Sequence, residues 1–195
     1  VIAAIRTGAP PDPASLRTAP DEVGDLAEWV RDGADELAAE LRSRSPLAPT
    51  WHPFAGERVI AVWSRRQAHE ALVHTTDAEA ASFGSVGPID PLLAADGIAE
   101  YFEVIVPRLV GRDGRATPVG ALVVDAIDIG ERWLVTASGR EPTLSRLDGT
   151  ADASLPRLAA PVVELLLALW GRRDLRIGDG VHDPVASAWL AFGGN

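Results

Sequence analysis

The sequence has no cysteine, no methionine and no lysine, and only one tyrosine, in 195 residues. Without cysteine the chain has no disulfide and no thiolate nucleophile of its own. Without lysine it has no Schiff-base chemistry. All 18 basic residues are therefore arginine; they face 28 acidic residues, for a net charge of −10. An acidic chain with no basic block argues against nucleic acid or an anionic membrane surface as a partner. No apolar run approaches the roughly 20 residues of a membrane span, and the longest, PVVELLLALW, is interrupted by Glu164. No signal-peptide pattern is present, and a cysteine-free chain fits a reducing cytoplasm. Neither a G-x-G-x-x-G or Walker phosphate loop nor a G-x-S-x-G nucleophile elbow occurs. Catalysis is left to histidine, carboxylates, hydroxyls, arginine or a bound cofactor. The lack of methionine extends to position 1, which is Val1. The expectation is a late or processed start.

What is present divides by texture. After a Pro-rich stretch, TGAPPDPASLRTAP, residues 21–44 place Val23, Leu26, Ala27, Val30, Ala34, Leu37 and Leu41 at three- and four-residue steps, the signature of an amphipathic helix. A second Pro-punctuated loop, residues 45–56, leads into a helix expected from about Glu57 to Ala81. A third helix is expected over 92–110, bent or ended by Pro107. Beyond GRDGRATP the residues become β-branched. VGALVVDAI reads as a strand, Asp128–Gly130 as a hairpin turn and Arg132–Ala137 as a second strand. EPTLSRLDG and TADASLP suggest further strand and edge material. Residues 157–173 read as an apolar helix, and the C-terminal stretch as a short strand, a turn and a last helix. The expected fold is α+β in two domains: helical over 1–111, then a small α+β domain over 118–195.

The segment with chemical content is HEALVH, residues 69–74. It is one residue too long for the HExxH of zinc proteases, which needs histidines at i and i+4. At 100° per residue, His69 and His74 stand about 140° apart and do not share a metal on a straight helix. Glu70 and His74 do share a face. Arg66 lies one turn before Glu70 and Asp77 lies three residues after His74. Two readings fit this polar stripe: a carboxylate–imidazole metal pair of the kind bundle helices carry, or a solvated face with i,i+4 ion pairs.

The string VWSRRQAHEALVHTTDAEAA, followed by IDPLLAADGIAEYFEVIVPR, resembles the mycothiol-dependent maleylpyruvate isomerase family of actinobacteria, relatives of the DinB/YfiT helical bundles. GERWLV and LLLALWGRR resemble that family's C-terminal, sterol-carrier-like α+β domain. The resemblance implies a divalent metal, commonly zinc, held by Glu70 and His74 and by a third ligand, a histidine on a helix upstream of Val1. VIAAIRTGAPP reads as the tail of an earlier helix, so the DinB-like bundle is incomplete here. Glu70 and His74 are expected to point into the bundle, with Asp77 supporting them from behind and Arg66 available to contact an anion on substrate or cofactor. Mycothiol, an external thiol, would supply the chemistry that a cysteine-free chain cannot, in an isomerase or transferase acting on a small carbonyl-type or electrophilic substrate. The alternative is a non-catalytic module on the same scaffold that binds a small molecule or a partner. Of the remaining histidines, His52 in TWHPFAG is a loop residue or a loop-borne ligand, His69 a packing residue and His182 a turn cap. The six tryptophans are core by default.

Overall fold

The computed structural model describes residues 1–54, 56–149, 154–175 and 183–193. The chain forms two compact units, Val1–Glu70 and Ala71–Asn195. Its fold class is α+β: helices with one four-stranded mixed sheet. Among the described residues, no helix is long and apolar enough to cross a membrane.

The first unit begins with α1 (Ile2–Thr7), which Gly8 closes in the left-handed conformation. Then come a 3-10 turn at Pro13–Ser15, α2 (Val23–Arg42) and the first part of α3 (Ile60–Phe83). Its core gathers Ala4, Ile5, Ile60 and Trp63, with Leu37, Leu41, Trp51 and Phe54 packed alongside. Arg6 ties α1 to α2 through Glu36 at 3.1 Å and Glu40 at 2.7 Å. The apolar stripe of α2 is used only at its C-terminal end: Leu37 and Leu41 pack, whereas Val23 and Val30 stay exposed. Helix α3 starts three residues later than its periodicity suggests, because the preceding residues are engaged in loop pairing. Pro49 and Val59 form an isolated antiparallel bridge, and Thr50 N–H donates to the Arg58 carbonyl at 2.9 Å.

In the second unit, α4 (Pro91–Glu100) starts at an Asp90 cap that accepts from the amides of Leu92 and Leu93. It continues as a π-turn over Tyr101–Ile105 and then as α5 (Val106–Asp113). Pro107 was expected to bend or end this helix, yet the helix runs on to Asp113. The proline has no N–H to give the preceding turn, and the wider turn just before it, with Val106 N–H reaching the Tyr101 carbonyl, takes up the mismatch.

The strands are β1 (Val119–Ala126), β2 (Glu131–Ser138), β3 (Thr143–Arg146) and β4 (Arg157–Ala160), in the order β3-β2-β1-β4. β1 and β2 form a hairpin with Val124 opposite Trp133; β3 adds antiparallel to β2, and β4 parallel to β1 with Leu158 beside Val124. Residues 157–173 are thus not one helix. Arg157–Ala160 alternate exposed and buried as a strand, and α6 (Val162–Leu169) starts only after Pro161. Proline disfavours helical backbone in the residue before it, which hands this short apolar run to the sheet. Helix α7 (Pro184–Gly193) completes the fold. Leu122, Val124, Trp133, Val135 and Leu158 share one core with Ile98, Tyr101 and Phe102 of the long helix, Leu165 and Leu169 of α6, and Trp189 of α7. By packing, the helix of 91–113 belongs with the sheet, although the textural break lies near residue 111. Residues Thr150–Ala153 of TADASLP, the strand suggested near residue 176, and His182 lie outside the described residues.

The end of α6 matters for the site. Gly171 adopts φ 69°, its N–H bonds to the Ala168 carbonyl at 2.9 Å, and Arg172 N–H bonds to the Leu167 carbonyl at 2.7 Å. This is a Schellman cap, and it needs a residue tolerant of the left-handed conformation. Gly171→Ala is expected to destabilise the fold by about 1–2 kcal/mol, read as a lower urea midpoint; an unchanged midpoint would show that the cap tolerates a side chain.

Candidate functional site

Helix α3 carries all four residues of the polar stripe, and the compact-unit boundary falls between Glu70 and Ala71. In the first unit, Arg66 is buried. Its Nε donates to Glu70 Oε1 at 3.1 Å and its Nη2 donates to the same oxygen at 2.6 Å. The Glu70 carboxylate, one turn along, is thus an anion that Arg66 contacts. In the second unit, His74 Nδ1 lies 3.3 Å from Asp77 Oδ2. Asp77 accepts two further bonds from Arg172, Nε to Oδ1 at 3.0 Å and Nη2 to Oδ2 at 3.0 Å. Arg172 is itself held, its Nη1 donating to the Trp170 carbonyl at 2.7 Å. The Arg172 guanidinium, with a smaller contribution from His74, keeps the Asp77 carboxyl below the usual carboxylate range.

The side chains of Glu70 and His74 are 41% and 67% exposed. They were expected to be enclosed; in this structure they are open. Among the described residues, no group of three or more histidine, aspartate and glutamate side chains is placed to hold a metal ion. Carboxylate and imidazole are each ligand types for a borderline cation, but a tight zinc site takes three protein ligands or more. The described residues do not complete such a site.

The other sequence candidates lie elsewhere. His69 is buried while His74 is exposed. His52 is fully buried; its Nε2–H donates to the Glu57 carbonyl at 2.7 Å, and its ring stacks on Phe54 and meets Trp63 edge-on. It is a structural pin of the 45–59 loop. Asp128 sits in the turn after β1, as its type suggests, and also accepts from Val162 N–H at 2.8 Å. It thereby caps α6, whose N-cap residue, Pro161, gives no side-chain cap of its own. Arg172 was not singled out from sequence. The glycine that follows the apolar run, in LWGRR, was the available signal, because a left-handed cap fixes where the next residue emerges.

The family model for the mycothiol maleylpyruvate isomerase N-terminal domain matches residues 2–79. Neither a curated protein nor a solved structure matches the chain.

Proposed function

Because residues 2–79 match the family model for the mycothiol maleylpyruvate isomerase N-terminal domain, we propose that the protein serves mycothiol-dependent chemistry, as an isomerase or transferase acting on a small carbonyl-type or electrophilic substrate. The observation that carries this reading is that the match includes Arg66, Glu70, His74 and Asp77. The absence of any cysteine fits an external thiol, since the chain has none to offer. The finer fold in this reading is a DinB-like bundle over 1–111 joined to a sterol-carrier-like domain over 118–195. A cytoplasmic setting, with no nucleic acid or membrane partner, belongs to the same proposal.

In this reading Glu70 and His74 supply two ligands to a divalent metal, zinc by resemblance, and the third ligand is none of the described residues. A metal bound there would act as a Lewis acid towards a carbonyl or hold the cosubstrate thiol as thiolate. The chain's own residues have separate tasks. Arg66 orients the Glu70 carboxylate, and Asp77 orients the His74 ring.

With only two ligands the chain is expected to bind zinc weakly. Glu70→Gln and His74→Ala should each lower that affinity further, while Asp77→Asn should have the smaller effect of a residue behind the ligand. Zinc titration by competition with a chromophoric chelator, metal content by mass spectrometry and mycothiol binding by calorimetry test the reading together. Equal zinc affinity in all variants would make the stripe a solvated helix face. Loss of both zinc and mycothiol binding from the scheme would leave a non-catalytic binding module.

A further inference from the structure

The contact between Arg172 and Asp77 joins residues 95 apart in sequence. Arg172 presents two donors, Nε and Nη2, one to each carboxylate oxygen, both at 3.0 Å. This fork-on-fork arrangement fixes the plane of a carboxylate as well as its position. Arg172 is in turn placed from both ends. Its backbone N–H closes the Schellman cap of α6 on the Leu167 carbonyl, and its Nη1 donates to the Trp170 carbonyl. The Asp77 oxygen that receives Nη2 is the one facing His74 Nδ1. An ionised carboxylate only accepts, so the ring nitrogen facing it must carry the proton.

We propose that Arg172 is a positioning residue for His74: by clamping Asp77 it holds the imidazole in its Nδ1–H tautomer, so that Nε2 is the nitrogen with a lone pair for ligation or proton acceptance. This rests on the proposed function only for the use made of Nε2; the tautomer is a property of this chain alone. An unconstrained imidazole favours the opposite, Nε2–H form, and which nitrogen is protonated is set by the hydrogen bond the other makes. The clamp therefore has a spectroscopic signature that a merely structural ion pair would not move.

The test is the ring 15N spectrum of His74, assigned by its loss in His74→Ala, in the full chain at alkaline pH where neutral rings are seen. The wild type should show Nδ1 protonated. Arg172→Gln and Asp77→Asn should both shift the population towards Nε2–H, and Arg172→Lys, a cation without the fork, should restore only part of it. If Arg172→Gln does not fold by near-ultraviolet circular dichroism, Asp77→Asn and Arg172→Lys give the same reading. A wild-type ring in the Nε2–H form, or one tautomer shared by the wild type and the folded Arg172 variants, would overturn the proposal. Zinc titration of the same samples separates it from the metal reading. A tautomer shift accompanied by a tenfold to hundredfold loss of zinc affinity, about the range for groups behind a ligand, supports both. A tautomer shift in a chain that binds no zinc keeps the clamp and removes the metal.

Discussion

Trp189→Ala is expected to cost about 3–5 kcal/mol of folding stability, the range for truncating a buried large aromatic side chain. Trp189 is fully buried at the centre of the second unit's core, edge-on to Phe102 with ring centroids 5.2 Å apart and tilted against Phe192 at 5.7 Å. Its ring neighbours come from the π-turn and from α7 itself, and α7 packs on α6 and β1, so no single element can move in to fill the space. The hole would stay largely open, and the lost contacts would add to the lost transfer energy. Trp189→Phe should be far milder, within about 1.5 kcal/mol. It keeps most of the ring and removes an indole N–H that is buried with no hydrogen-bond partner among the described residues, a group whose removal relieves a desolvation cost. Urea unfolding of the two variants checks both figures. A Trp189→Ala protein within about 1 kcal/mol of the wild type would mean that this core is not close-packed.

The second large effect is on alkaline stability. Tyr101 is the single tyrosine. It is buried, its hydroxyl has no hydrogen-bond partner among the described residues, and burial raises its pKa well above the usual range, with the Arg115 charge acting in the opposite direction. The folded-state pKa is raised, so Tyr101 gives up its proton more readily in the unfolded chain. Its contribution is fully present below about pH 10, the ordinary tyrosine value, and is lost as pH rises from there towards the folded pKa. In that window stability should fall by about 1.4 kcal/mol per pH unit from this group. Absorbance near 295 nm reads it directly. The native protein should show no tyrosinate at pH 11, and the signal should appear together with loss of far-ultraviolet ellipticity. Tyr101→Phe should remove this part of the alkaline slope while costing little near neutrality. Tyrosinate forming in a folded protein at pH 11 would contradict the buried environment.

The parts of the fold legible in the sequence were those with local causes. Periodicity located α2 and α3. The turn residues after β1 and the β-branched runs beside them located the first hairpin, and the change of texture near residue 111 marked where helices give way to sheet. β4 was missed because RLAA before Pro161 is apolar, short and without a period that separates strand from helix; its partner, β1, is more than 30 residues away. The exposure of Val23 and Val30 was equally hidden, since an amphipathic stripe says that a face can be buried and not that anything covers it. At the site, helical spacing correctly grouped Arg66, Glu70, His74 and Asp77 on one helix. Spacing does not report burial, so neither the openness of His74 nor the burial of Arg66 could be read. For Arg172 the glycine of LWGRR signals a helix cap, but the contact with Asp77 depends on how α6 packs and could not be read.

The sheet has a consequence for how copies of this chain behave at high concentration. Both outer strands, β3 and β4, are only four residues long. Among the described residues each therefore offers only a short row of outward backbone groups, while the eight-residue strands β1 and β2 are shielded between them. Arginine stands at the end of one outer strand and the start of the other: Arg146 pairs with Glu131, and Arg157 pairs with Asp125 at 2.9 Å. A second molecule adding a strand would gain few ladder bonds and would bring like charges together. Short, charged borders of this kind are how β-proteins avoid growing into fibres. Here they leave the hairpin that holds the core valines unavailable as a template.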